Sequence, residues 1–75
     1  MVREQLTDIV AEMVANVMSI DVAVGDKVAA GDQMILLESM KMEIPVLAEH
    51  PGTVRKVRVA VGDVVQEGDI MLTLG

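Results

Sequence analysis

Two stretches, Val22-Ala23-Val24-Gly25-Asp26-Lys27-Val28-Ala29-Ala30-Gly31-Asp32-Gln33-Met34 and Val59-Ala60-Val61-Gly62-Asp63-Val64-Val65-Gln66-Glu67-Gly68-Asp69-Ile70-Met71, share the pattern V-A-V-G-D-x-V-x-x-G-D-x-M. They stand 37 positions apart, and at that offset Thr7–Glu38 lies over Ile44–Gly75 with thirteen of 32 pairs identical. Outside the quoted stretches the identities are Ala11/Ala48, Glu12/Glu49, Val17/Val54 and Leu37/Leu74. Two Gly-Asp pairs in the same register in both copies mark an internal duplication.

Each copy reads as strands. Val22–Val24 and Val57–Val61 are β-branched runs, and the second alternates at period 2. Gly tolerates positive φ and Asp can bond the nearby backbone, so each Gly-Asp pair is a turn signal. Gly25-Asp26 and Gly31-Asp32, like Gly62-Asp63 and Gly68-Asp69, leave room between them for only a very short strand. Met34–Leu37 and Ile70–Leu74 follow as buried strands. No sustained 3.6-residue pattern follows a capping residue in Met1–Met13, so no helix is expected. Four strands per copy give an all-β unit whose two halves, related by an approximate two-fold, bury their apolar faces against each other. The expected architecture is a small flattened eight-stranded barrel or sandwich.

Composition narrows the function. The 75 residues form one small domain, with 52% hydrophobic side chains, no aromatic residue and no cysteine. A disulfide framework and a thiolate metal site are excluded, and a reducing compartment suits the chain. A domain of this size has a marginal core, so stability rests on dense aliphatic packing. Twelve acids against six bases give a net charge of −6, which repels phosphate backbones and anionic lipid. Neither a nucleic-acid nor a membrane partner is expected. Met1–Asp8, with Arg3, Glu4 and Asp8, shows no leader, and cytoplasmic residence is expected. One histidine and two serines make no convincing nucleophile–base set, so no catalytic or metal-ligating residues are assigned. His50 reads as a loop residue. Asp26, Asp32, Asp63 and Asp69 read as backbone-capping turn residues in preference to cation ligands.

Ser39-Met40-Lys41-Met42-Glu43 is the only segment between the copies that lies outside the register. It joins the last strand of one copy to the first of the next and therefore occupies a hairpin tip, with the termini at the symmetry-equivalent end. No Gly, Asn or Asp stands there, so the repeat places the tip while local turn chemistry does not. Lys41 is flanked by Met40 and Met42, with Glu38 and Glu43 outside them. The methionines either fold back as core filler or form a recognition patch around a lysine open to modification, and composition leaves both open.

Glu38-Ser39-Met40-Lys41-Met42-Glu43, with Pro51-Gly52-Thr53-Val54 and the paired V-G-D…G-D segments, resembles the biotin carboxyl carrier proteins of the biotin/lipoyl attachment family. The resemblance runs from about Ile9 to Leu74 and is greatest to the stand-alone biotinylated proteins of actinobacteria. It implies the barrel-sandwich hybrid fold, without the protruding thumb of some bacterial carriers, and a biotinyl-attachment domain over residues 1–75. The repeat halves are about 7–38 and 44–75, with hairpin 39–43 between them. It departs from the family in having Val14-Ala15 where carriers often repeat the Pro-Gly of Pro51-Gly52. It further implies covalent biotin on Lys41, attached by a biotin protein ligase, with Glu38, Ser39, Met40, Met42 and Glu43 as flanking recognition residues. The non-catalytic carrier would then take carboxyl groups from biotin carboxylase to a carboxyltransferase acting on an acyl-CoA. The alternatives are a lipoyl-type carrier, an unmodified scaffold module of the same fold, or an excised piece of a larger carboxylase.

Overall fold

The computed structural model describes residues 6–75; Met1–Gln5, and with them the leader-free reading of Arg3 and Glu4, lie outside it. Eight strands run in chain order: β1 (Thr7–Val10), β2 (Ala15–Ile20), β3 (Lys27–Val28), β4 (Gln33–Ser39), β5 (Met42–Leu47), β6 (Gly52–Val57), β7 (Val64–Val65) and β8 (Ile70–Leu74). There is no helix among the described residues, and so none long and apolar enough to cross a membrane. β6 and β7 repeat the bounds of β2 and β3 at an offset of 37, so the loop before β2 keeps its length despite Val14-Ala15.

The strands form two four-stranded antiparallel sheets, β1-β8-β6-β3 and β5-β4-β2-β7. Adding 37 to any strand of one sheet leads to its counterpart in the other, so each sheet takes two strands from each copy. This exchange ties the copies together: neither sheet exists without both. The ladders do not continue round into a closed barrel. Backbone bonds secure the corners: Ala11 N–H donates to Asp69 C=O at 2.8 Å and Gly31 N–H to Ala48 C=O at 2.7 Å.

The core draws on both sheets, with Val17, Met34, Ile35 and Leu37 packed with Val54, Met71, Leu72 and Leu74. Met34 and Ile35 are neighbours and both face inward, contrary to strand alternation. A bulge explains it: Gln33 pairs with Leu47 and Ile35 with Val46, leaving Met34 as the extra residue. The same bulge recurs at Met71, between the Ile9–Leu72 and Val10–Ile70 pairs. Met34, Ile35 and Leu37 of β4, with Met71, Leu72 and Leu74 of β8, thus fill one core from one side of each sheet.

The Gly-Asp pairs make four equivalent turns. In the first, Asp26 N–H donates to Ala23 C=O at 3.0 Å while Asp26 Oδ2 accepts from Ala23 N–H at 2.9 Å. Asp32, Asp63 and Asp69 repeat this with Ala29, Ala60 and Gln66. Gly25 at φ +96° supplies the positive angle that a type II turn needs at its third residue. The expected capping role of these aspartates is what the structure shows.

One expectation is corrected. Val22–Val24 is a connection, not a strand, and β6 ends at Val57, so Arg58–Val61 is a connection as well. Within the first connection the Ala23 N–H, which a strand would offer to a ladder, is taken locally by the Asp26 side chain. Val22 and Val59 are half-buried against the core, so β-branched residues here serve packing of a crossover.

Candidate attachment site

The hairpin β4–β5 carries the junction segment. Its rungs close toward the tip as Leu37–Ile44, Glu38–Glu43 and Ser39–Met42, leaving Met40 and Lys41 as a two-residue loop. Both loop residues are left-handed, with φ +53° for Met40 and +64° for Lys41. That is the type I′ arrangement, whose twist matches the flanking strands. Asn-Gly would adopt it freely, whereas each side chain with a Cβ costs about 1–2 kcal/mol there. The ladder below and the buried Leu37 hold the loop in that conformation.

Beyond the last rung the loop side chains stand in solvent. Met40 is 91% exposed and Met42 64%, so neither folds back onto the core. Lys41 and Glu43 are exposed, and Glu38 and Ser39 are half-buried. All six residues of the segment singled out in the sequence come together on this one hairpin. Glu38 and Glu43, directly opposite one another, form no ion pair among the described residues. The result is a primary amine on a flexible stem, borne by a rigid turn and flanked by apolar and acidic groups. Chemically it can be acylated. His50 is exposed in the connection between β5 and β6. Among the described residues no cluster of His, Cys, Asp and Glu could hold a metal.

A family profile described as biotin-requiring enzyme, of the biotin/lipoyl type, matches residues 6–74. The chain belongs to that biotin/lipoyl family. Within the family, the chain is 58% identical over 41 residues to the biotinylated protein TB7.3 homolog of Mycobacterium leprae, covering 55% of this chain and 58% of that protein. The chain therefore spans little more than half the length of that curated relative. A biotin/lipoyl attachment protein of Bacillus subtilis is 43% identical over 38 residues, 51% of this chain and 52% of its own. Among solved structures, the urea carboxylase of Kluyveromyces lactis is 32% identical with a TM-score of 0.88, covering 100% of this chain and 7% of that one. A single-chain, multi-domain long-chain acyl-CoA carboxylase gives 27% and 0.89 over 99% of this chain and 7% of its own. The lipoyl domain of the Azotobacter vinelandii 2-oxoglutarate dehydrogenase complex, at 24% and 0.74, shares the biotin/lipoyl fold.

Proposed function

We propose that this chain is a biotin carboxyl carrier, with residues 1–75 as one attachment domain and Lys41 as the residue acylated by biotin. The observation that supports this best is the Met40-Lys41 turn, which spends backbone strain on holding one amine at the outermost point of a hairpin. Only a neutral amine is a nucleophile, so acylation includes removal of a proton from the Lys41 ammonium within the biotin protein ligase. Lys41 Nζ then attacks the activated carboxyl carbon of biotinyl-adenylate: an amide bond forms and AMP leaves. The modification removes a positive charge and takes the formal net charge of −6 one unit further.

When bound, biotin supplies a nitrogen that takes up and gives back a carboxyl group. The protein's part is position. Lys41 anchors the arm, the stiff β4–β5 ladder fixes its base, and tethering replaces free diffusion with a high local concentration at each enzyme. Met40 and Met42 offer adaptable apolar contact, which suits a surface that meets several partners. Those partners are a biotin protein ligase, a biotin carboxylase and a carboxyltransferase acting on an acyl-CoA, in the cytoplasm.

The test is an intact-mass spectrum after coexpression with a biotin protein ligase. The expected result is addition of one biotinyl group to the wild type and none to Lys41→Arg. A lipoyl addition, or labelling at Lys27 or Lys56, would overturn the assignment.

A further inference from the structure

Lys41 sits between two thioethers, and no thiol competes with them: cysteine is absent from the chain, whereas methionine occurs seven times. Six of the seven lie within the described residues, and the fold sorts them by access to solvent. Met34 and Met71, mates of the repeat, are 0% and 1% exposed. Met13, between β1 and β2, and Met18, on β2, are 41% and 45% exposed. Met40 at 91% and Met42 at 64% exceed them all, and these two belong to the segment outside the repeat register. The turn is the cause. Ser39–Met42 is the last rung, so Met42 stands at the end of the ladder and Met40 beyond it. Thioether oxidation follows access to the oxidant, which makes the two sulfurs beside Lys41 the first in line.

We propose that Met40 and Met42 form a reversible oxidation site, and that their sulfoxides hinder acylation of Lys41. The effect on acylation rests on the carrier reading of Lys41. In the forward step the thioether sulfur attacks one oxygen of hydrogen peroxide. The S–O bond forms, the O–O bond breaks, and hydroxide leaves and takes up a proton to give water. Sulfur loses two electrons and the peroxide gains them. In the reverse step a methionine sulfoxide reductase removes the oxygen as water while two thiols become a disulfide. Oxidation turns a flexible apolar side chain into a polar, chiral one. Any enzyme that draws Lys41 Nζ to a reacting centre has to cover the residues on either side of it, because the loop is only Met40 and Lys41 long. Covering a thioether is favourable, whereas covering a sulfoxide oxygen without a donor costs free energy. Met34 and Met71 are shut away in the core, so the carrier stays folded while its tip changes character.

The folded carrier is treated with hydrogen peroxide over a time course, and sulfoxides are located by peptide mass mapping. Met40 and Met42 are expected to gain oxygen first, Met13 and Met18 later, and Met34 and Met71 only after urea unfolds the chain. Oxidation of Met34 or Met71 in step with Met40 overturns the site. Once the peroxide is removed, the carrier oxidised at Met40 and Met42 is labelled with purified biotin protein ligase, biotin and ATP. Its KM is expected to rise about fivefold or more with kcat within about twofold, and methionine sulfoxide reductases for both epimers, with dithiothreitol, should restore it. Met40→Leu with Met42→Leu, which keeps Met13 and Met18, should show the same KM before and after peroxide. An unchanged KM in the oxidised wild type, or an equal rise in the double variant, overturns the effect on acylation and leaves the carrier reading intact. A wild type that is not labelled before peroxide overturns the carrier reading, while the map of sulfoxides still decides the oxidation site. Should the double variant not fold, the reductase treatment decides: a KM that stays high after the oxygens are removed overturns the effect.

Discussion

Ser39 lies directly opposite Met42 as the last rung of the β4–β5 ladder. The chain must therefore reverse on Met40 and Lys41 alone, and both take positive φ to do so. A looser loop would avoid that strain but would let the amine wander. Met40→Gly removes the steric cost at one of the two positions and is offset in part by a freer unfolded chain. The expected outcome is a gain of about 0.5–1 kcal/mol, read as a higher urea midpoint at unchanged slope. A loss of stability would show that Met40 packs against the hairpin.

Glu38 and Glu43 face each other at the rung below, a like-charge pair. Glu43→Gln is expected to stabilise by about 0.2–1 kcal/mol at low ionic strength. The gain should shrink as salt rises, because exposed charges are screened. Urea midpoints at low and high salt check this, with a salt-independent gain counting against a charge effect.

The four turn aspartates do one task in four places. Asp63→Ala is expected to cost about 1 kcal/mol by removing the acceptor for Ala60 N–H, while Asp63→Asn keeps an acceptor and loses less. The same ordering is expected at Asp26, Asp32 and Asp69. With no tryptophan or tyrosine present, unfolding is best followed by far-UV circular dichroism.

Met34 and Met71 are two-fold mates, each the extra residue of a bulge and each fully buried. Either Met→Ala change should cost about 2–5 kcal/mol, a large share of the stability of a small domain. If the halves share one core, the two losses agree to within about 1 kcal/mol. A cost at one site alone would mean that the core is not two-fold symmetric.

Much of this was legible without coordinates. The 37-residue repeat announced eight short strands, and the Gly-Asp pairs announced their turns, because positive φ and side-chain capping are local properties of residue type. Val22–Val24 misled, since β-branched alternation reports half-burial and does not say whether a neighbouring ladder takes the backbone donors. The two-residue turn at Met40-Lys41 had no local signal, because both residues disfavour it in isolation.

The amino-acid sequence by itself settled the duplication, the all-β character and the lysine between two methionines at the seam, since periodicity and residue chemistry act over a few positions. Only the tertiary structure decided how the copies exchange strands and that Met40 and Met42 stand out in solvent. Those outcomes depend on register between strands distant in the chain, and the free energy that sets register comes from burying Val17, Ile35, Val54 and Leu72 at once.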